Sequence, residues 1–190
     1  MLLPEESARE RVEAAFRRRG WYLARVFEQE QVQPAQWQWF ADPEDEVSYI
    51  EDELLRWRYL ALYGPRRESI AADLRAELPS FSREEILGMW DAAWQHRGSE
   101  TDALVGAAHA LGIGASTAPD PDIMARLAYG LRIPQPEVRL AVLRAIGFTQ
   151  WTEFYDGLKW FAGNDPDQDL RHYAEGLALA MEGSGELDWP

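Results

Sequence analysis

The chain of 190 residues contains no cysteine. Without thiols it can form no disulfide, no thiolate metal site and no cysteine nucleophile. The N-terminus becomes acidic at Glu5 and Glu6 before any long apolar segment, which predicts neither a signal peptide nor a membrane span. These absences predict a cytoplasmic protein, and no residue pattern in the chain requires a cofactor.

Basic residues are scarce, because 19 of them stand against 33 acids and leave a net charge of −14. A surface of this sign repels phosphate backbones, so nucleic acid is a disfavoured partner and a basic protein a favoured one. One local basic run, Arg17–Arg19, precedes Trp21 and Tyr22 and forms a patch on which bases could stack. The alternative is that these arginines pair with nearby acids such as Glu13 and with a helix C-terminus.

The sequence also has few signals for β-structure. Strictly alternating apolar and polar runs, Asn-Gly hairpins and clusters of β-branched residues are missing. Apolar residues instead recur at the spacing of three and four that is typical of helices. This spacing predicts a helix over 5–30, broken at Gly20, and a second over 43–63. We therefore expect an all-α protein. The stripe of the second helix consists of Val47, Ile50, Leu54, Trp57 and Ala61.

A helical unit recurs in the second half of the chain, with copies that begin at residues 103, 138 and 170. A repeat of this length, with one apolar stripe in each copy, is typical of stacked helix pairs that cannot bury their apolar faces alone. The pattern predicts an α-solenoid of antiparallel helical hairpins. Val142 and Ala174 are expected to be buried where the helices stack.

Two strings in this region, Pro-Glu-Val-Arg at 136–139 and Pro-Asp-Gln-Asp-Leu-Arg at 166–171, resemble the second helix of HEAT repeats. The resemblance covers about residues 100–182. It implies that an arginine in each repeat pairs with an acid of a neighbouring repeat. Arg139 and Arg171 hold that position, and Asp165 and Asp167 are the candidate acids.

The resemblance also implies a domain organisation. We expect one α-helical repeat domain over 1–183, in which 1–98 are divergent N-terminal helices and 99–183 are HEAT-like repeats. Residues 184–190 are expected to form a loose tail.

The strongest candidate for a recognition surface is an acidic band at 42–53. On a helix over 43–63 its side chains would lie off the apolar stripe and face a partner, although a solvated helix face would show the same pattern. The residues expected to bind the partner are Glu44, Asp45, Tyr49, Glu51, Asp52 and Arg56.

No catalytic residues are identified in the chain. Asp169, His172 and Glu175 lie three residues apart on one helical face, which suits a metal in principle. Because His96 and His109 stand at no recognisable ligand spacing, we expect no metal site. The tryptophan-rich patches at 37–39, 90–94 and 151–160 are expected to lie in the core.

The sequence therefore favours a non-catalytic scaffold or adaptor that recognises a protein. Two alternatives stay open. One is an acidic inhibitor or immunity-type partner of a basic protein. The other is an enzyme similar to the HEAT-like DNA glycosylases, against which the net charge counts.

Overall fold

A computed structural model of the protein describes residues 1–4, 9–30, 33–96 and 101–183. Contacts divide the chain into two compact units, Met1–Ser82 and Arg83–Pro190, which we call the N-terminal and C-terminal units. The N-terminal unit contains a sheet, so the prediction of an all-α solenoid is wrong. The predicted tail at 184–190 lies outside the described residues.

The N-terminal unit is an antiparallel sheet of five strands with two helices. The strands lie in the order β1-β5-β4-β3-β2, so that β1 and β2 form the two edges. In chain order the elements are β1 (Leu2–Leu3), α1 (Arg9–Arg18), β2 (Tyr22–Phe27), β3 (Ala35–Asp42), β4 (Asp45–Asp52), β5 (Trp57–Tyr63) and α2 (Arg67–Glu77).

The core of this unit lies between one face of the sheet and the two helices. Alternate side chains of β3, β4 and β5 enter it, as the period of two in a strand requires. We call this the helix-covered face and the opposite one the second face. The buried cluster consists of Leu3, Val12, Ala15, Phe16, Trp39, Val47, Tyr49, Leu60, Ile70, Leu74 and Leu78.

The helix predicted over 43–63 is instead the hairpin of β4 and β5. Val47 is fully buried on the helix-covered face, whereas Ile50 is buried on the second face. A strand that buries residues on both faces loses its simple alternation, and its apolar residues then imitate helical spacing. Leu54, the middle residue of the predicted stripe, is 70% exposed in the turn between the strands.

The helix predicted over 5–30 is also wrong beyond Arg18, where α1 ends. Gly20 has a φ of 75°, a left-handed conformation that glycine adopts without steric cost. The chain then continues as β2. Residues 1–98 were expected to form divergent N-terminal helices, but their described part up to Ser82 is a sheet with α1 and α2, and only Arg83–Gln95 continues as a further helix.

Ion pairs join the C-terminal end of α1 to α2. Arg18 and Arg19 both bind the carboxylate of Glu77, and Arg17 Nη2 lies 2.7 Å from Glu13 Oε2 within α1. The hydrogen bonds from the two arginines lower the pKa of Glu77. All three arginines of the basic run therefore have carboxylate partners inside the N-terminal unit.

Replacing Glu77 by glutamine is expected to lower the free energy of unfolding at neutral pH by at most about 1 kcal/mol, because the pairs are partly exposed. A folded pKa below the unfolded value stabilises the fold above the unfolded pKa, and this contribution is lost as the pH falls through the folded pKa. Denaturant titrations should therefore show a difference at neutral pH that disappears in acid. The exposed Glu175 serves as the control, and an equal effect of Glu175→Gln would contradict the assignment.

The C-terminal unit is helical wherever the structure describes an element. Its helices are α3 (Arg83–Gln95), α4 (Thr101–Gly114), α5 (Pro121–Gly130), α6 (Pro136–Thr149), α7 (Tyr155–Asn164) and α8 (Gln168–Glu182), with a short 3-10 helix at Thr152–Phe154. Asp120 caps α5 by accepting the amide of Asp122 at 2.9 Å, and Asp167 caps α8 in the same way.

The helices of this unit pack in pairs: α3 on α4, α4 on α6, and α7 on α8. Val142 and Ala174 are fully buried, as predicted. Gly112 of α4 sits against Ala145 of α6, and a Cβ at position 112 would lie 2.5 Å from Ala145 Cα. The missing side chain therefore sets how closely α4 and α6 approach. In the described part of the chain, no helix is long and apolar enough to cross a membrane.

Candidate protein-interaction surface

Strand β2 is an exposed edge with an apolar surface. All six of its residues are exposed, and four of them are large apolar side chains. Tyr22 is 58% exposed, Leu23 41%, Val26 48% and Phe27 39%. One edge of β2 pairs with β3, and the other pairs with no strand among the described residues. Within the described ranges, the strand thus offers backbone groups that no other strand pairs with, beside apolar side chains.

A bulge divides the side chains of β2 between the two faces of the sheet. Leu23 lies opposite Trp39 and Arg25 opposite Gln38, so Ala24 is the additional residue. Leu23 and Val26 therefore lie on the helix-covered face, where both side chains remain exposed at the edge of the sheet. The second face receives Tyr22, Arg25 and Phe27.

On the second face, four directly opposed residues form a row across β2, β3, β4 and β5. We call Tyr22, Phe40, Glu46 and Tyr63 the aromatic–carboxylate row. The rings of Tyr22 and Phe40 stack, with centroids 5.7 Å apart and planes inclined by 18°. Tyr63, at the far end of the row, is 59% exposed. Directly opposed side chains have Cβ atoms about 5 Å apart, which keeps the row continuous.

Glu46, the only charged residue of this row, is partly buried. Its Oε1 accepts a hydrogen bond from Ser48 Oγ at 3.0 Å, and Ser48 Oγ accepts one from Gln36 Nε2 at 2.8 Å. Partial desolvation of the Tyr63 hydroxyl, and next the negative charge of Glu46, raise the pKa of Tyr63. The Tyr63 hydroxyl thus remains neutral beside the carboxylate.

The residues of the predicted acidic band lie at two ends of β4 and not on one surface. Glu44 and Asp45 are at the turn between β3 and β4, whereas Glu51 and Asp52 begin the turn to β5. Seven residue steps of strand separate Asp45 from Asp52, or roughly 23 Å. Because the band was placed on a helix, this separation was not foreseen.

Several of these residues have structural partners. Asp45 is fully buried and binds Arg66 through both the Nε, at 2.6 Å, and the backbone amide, at 2.8 Å. Tyr49 is buried in the core and donates its hydroxyl to Glu51 at 2.8 Å. The side chain of Glu51 also lies 3.8 Å from Arg58 Nε.

The remaining residues shape the turns. Asp42 accepts the amides of Glu44 and Asp45 and thereby caps the β-turn between β3 and β4. Asp52 accepts the amide of Leu55 at 2.8 Å, and Arg56 has a φ of 59° in the same turn. Glu44 is exposed in the turn between β3 and β4.

In the C-terminal unit, the residues implied by the HEAT resemblance lie close together. Arg139 Nε is 2.8 Å from Asp165 Oδ2, and Arg139 Nη2 donates to Asp165 Oδ1 at 3.1 Å. Arg139 is 5% exposed and Asp165 7%. Arg171 Nη1 donates to the carbonyl oxygen of Asp165 at 2.7 Å, and Asp167 caps α8. These four side chains thus hold the loop between α7 and α8.

The tryptophan patches are split between core and surface. Trp39, Trp90 and Trp151 are buried, whereas Trp160 is 68% exposed on α7. Within the described ranges, no group of three or more histidine or acidic side chains has an arrangement that could hold a metal ion.

Sequence reasoning did not identify β2 as a functional element. The run Tyr-Leu-Ala-Arg-Val-Phe at 22–27 contains aromatic and β-branched residues, which favour strands. This signal was outweighed by the apparent continuation of α1. Glu46 belonged to the acidic band but was not among the residues expected to bind a partner.

Comparisons with protein-family models, curated proteins and solved structures find no match to this chain.

Proposed function

We propose that this protein is a non-catalytic recognition protein that binds an extended segment of a protein partner along β2. The observation that carries this proposal is the exposure of four large apolar side chains on one edge strand. Proteins that stay monomeric usually protect such edges with charges, proline or a covering element. In β2 the only charged residue is Arg25.

An incoming strand of the partner would use both the outward backbone groups of β2 and its exposed apolar side chains. The outward backbone groups of β2 can form a ladder with an incoming strand, which supplies affinity. Side chains of that strand would alternate between Leu23 and Val26 on one face and Tyr22 and Phe27 on the other. Apolar residues at alternate positions of the partner would therefore be recognised.

A protein partner suits the charge distribution better than a nucleic acid. The basic run Arg17–Arg19, which offered a phosphate site, already forms ion pairs with Glu13 and Glu77. The net charge of −14 opposes phosphate binding elsewhere and fits a cytoplasmic protein that recognises a basic partner. No arrangement within the described residues specifically favours a glycosylase.

We expect the double variant Leu23→Lys, Val26→Lys to lose binding to peptides selected against the wild-type chain from a random displayed library. Burial of each apolar side chain contributes roughly 1.5–3 kcal/mol, so the loss should exceed about tenfold. The selected peptides should alternate apolar and polar residues. Affinities are measured by calorimetry or fluorescence anisotropy.

Leu179→Lys is the matched control, because Leu179 is 60% exposed on α8 and lies outside the sheet. This variant should keep full affinity. Melting curves of all variants check that the fold is intact, since the substituted positions are exposed. Selected peptides that bind the double variant as tightly as the wild type would contradict strand addition at β2, as would a failure to select any peptide.

A further inference from the structure

We infer that the aromatic–carboxylate row binds an organic cation, the side chain of a lysine or arginine in the partner. This inference names the chemistry of the partner and rests on the proposed protein-recognition function. The site differs from the β2 backbone edge, although both include Tyr22.

The first argument is that Glu46 has no counterion in the part of the chain that the structure describes. Asp45 pairs with Arg66 and Glu51 with Arg58, each within the N-terminal unit. Glu46, on the same strand, has no arginine, lysine or histidine nitrogen within 4.0 Å among the residues that the structure describes. A partly buried carboxylate without a cation favours the approach of one from outside.

The second argument is the acceptor capacity left on Glu46. An ionised carboxylate has about four lone-pair sites, and among the described residues one donor, the hydroxyl of Ser48, reaches Glu46. Ser48 is itself fixed by Gln36, so the carboxylate is held in place on the second face. Sites on Glu46 thus remain for the N–H groups of an ammonium or guanidinium.

The third argument is the aromatic wall on both sides of the carboxylate. Phe40 lies opposite Glu46 on β3 and Tyr63 lies opposite it on β5. A cation held by Glu46 would contact the faces or edges of these rings, and ring faces attract cations. The aliphatic stem of a lysine or arginine could pack against Tyr22, which stacks on Phe40.

The negative charge of Glu46 also makes the row a better site for a cationic side chain than for a nucleic-acid base. Aromatic residues on an open sheet can stack on bases, but a carboxylate between them repels the adjoining phosphates. Arg25, the cation of β2, lies on the next row and two strands away from Glu46, so their Cα atoms are about 12 Å apart. The site therefore favours a positively charged side chain.

The experiment uses small probes that require no strand addition. N-acetyl-lysine methylamide and N-acetyl-arginine methylamide are titrated into the full chain, with the norleucine analogue as the uncharged probe. We expect the cationic probes to shift the ring resonances of Tyr22 and Tyr63 saturably, and the norleucine probe to leave them unchanged. In Glu46→Gln the affinity should fall by about tenfold, the fold-change expected when a hydrogen bond to a charged group is lost.

Glu44→Gln is the matched control, because Glu44 is an exposed acid two residues before Glu46 and its substitution removes the same charge. Equal affinity losses in Glu44→Gln and Glu46→Gln would overturn the inference, because long-range attraction alone would then explain binding. Equal shifts with norleucine would also overturn it, as would stronger binding of a single-stranded oligonucleotide to the same rings. If selected peptides bind β2 while the cationic probes leave the row unchanged, the inference fails and the proposed function stands.

Discussion

Replacing Asp165 by alanine is expected to lower the free energy of unfolding by about 3–5 kcal/mol, the range measured when one partner of a buried ion pair is removed. Arg139 and Asp165 are both almost fully buried and are joined by two contacts of 2.8 and 3.1 Å. Without Asp165 the guanidinium would stay in the interior without its carboxylate. The loop amide of Asp167, which donates to Asp165 Oδ1 at 2.8 Å, would lose its acceptor as well.

Denaturant titration of the full chain measures this effect, and Lys159→Met is the control. Lys159 Nζ lies 3.8 Å from Glu182 Oε1, but both side chains are more than half exposed. An exposed pair contributes between about 0 and 1 kcal/mol, so this control should change stability little. If Asp165→Ala costs no more than Lys159→Met, the buried pair does not hold the loop between α7 and α8.

The double variant Arg139→Met, Asp165→Leu should recover part of the loss, because neither charge then remains buried alone. Recovery should be incomplete. Arg139 Nη1 also donates to the carbonyl oxygens of Ile133 and Pro134, at 2.9 and 2.6 Å, and these acceptors would lose their donor. A double-mutant cycle completed with the single variants Arg139→Met and Asp165→Leu therefore separates the ion pair from the role of Arg139 in the loop before α6.

Gly112→Ala is expected to destabilise the chain by about 1–3 kcal/mol, the usual cost of overpacking a core. The new Cβ would lie 2.5 Å from Ala145 Cα and 2.6 Å from the Ala145 carbonyl oxygen. Both atoms belong to the backbone of α6, so the clash cannot be relieved by a rotamer change. The two helices would have to move apart and open the interface between them.

Gly176→Ala in α8 is the matched control for this substitution. Gly176 is exposed, and a Cβ there would meet no atom within 4 Å. Alanine in an open helical position should stabilise the chain by about 0.5–1 kcal/mol, because glycine loses more backbone entropy on folding. The two glycine substitutions should thus have opposite signs in thermal or denaturant unfolding. A stabilising Gly112→Ala would contradict the close approach of α4 and α6.

The helices of the C-terminal unit were predictable because their signals are local. Asp120 and Asp167 cap helices, and Pro136 occupies the first turn of α6, as their sequence positions indicate. The apolar stripes of these helices also correspond to buried residues such as Leu127 and Ile146. A helix forms its backbone hydrogen bonds within one segment of the chain, so that segment contains most of the information needed to identify the helix.

The sheet could not be identified in this way, because its strands depend on distant partners. Val47 and Ile50 are both buried, but Val47 lies on the helix-covered face and Ile50 on the second face. Their spacing of three suggested one helical stripe. The same local ambiguity concealed β2, whose position at an edge follows from the strand order and from no property of residues 22–27 alone.

The candidate site was predictable in its charge and not in its geometry. The acidic character of 42–53 is plain in the sequence, but the pairing of Asp45 with Arg66 and of Glu51 with Arg58 depends on the hairpin register. That register also places Glu46 between Phe40 and Tyr63. A helix over the same residues would have grouped different side chains, and so the predicted set omitted Glu46.

Amide hydrogen exchange across β2, measured with and without a selected peptide, tests the central claim most directly. An added strand would place its backbone against the free edge of β2, and exchange of the outward amides in Tyr22–Phe27 should slow markedly on binding. The paired strands β3 and β4 should change less. Protection confined to residues outside 22–27, with β2 exchanging at its original rate, would contradict recognition through this edge.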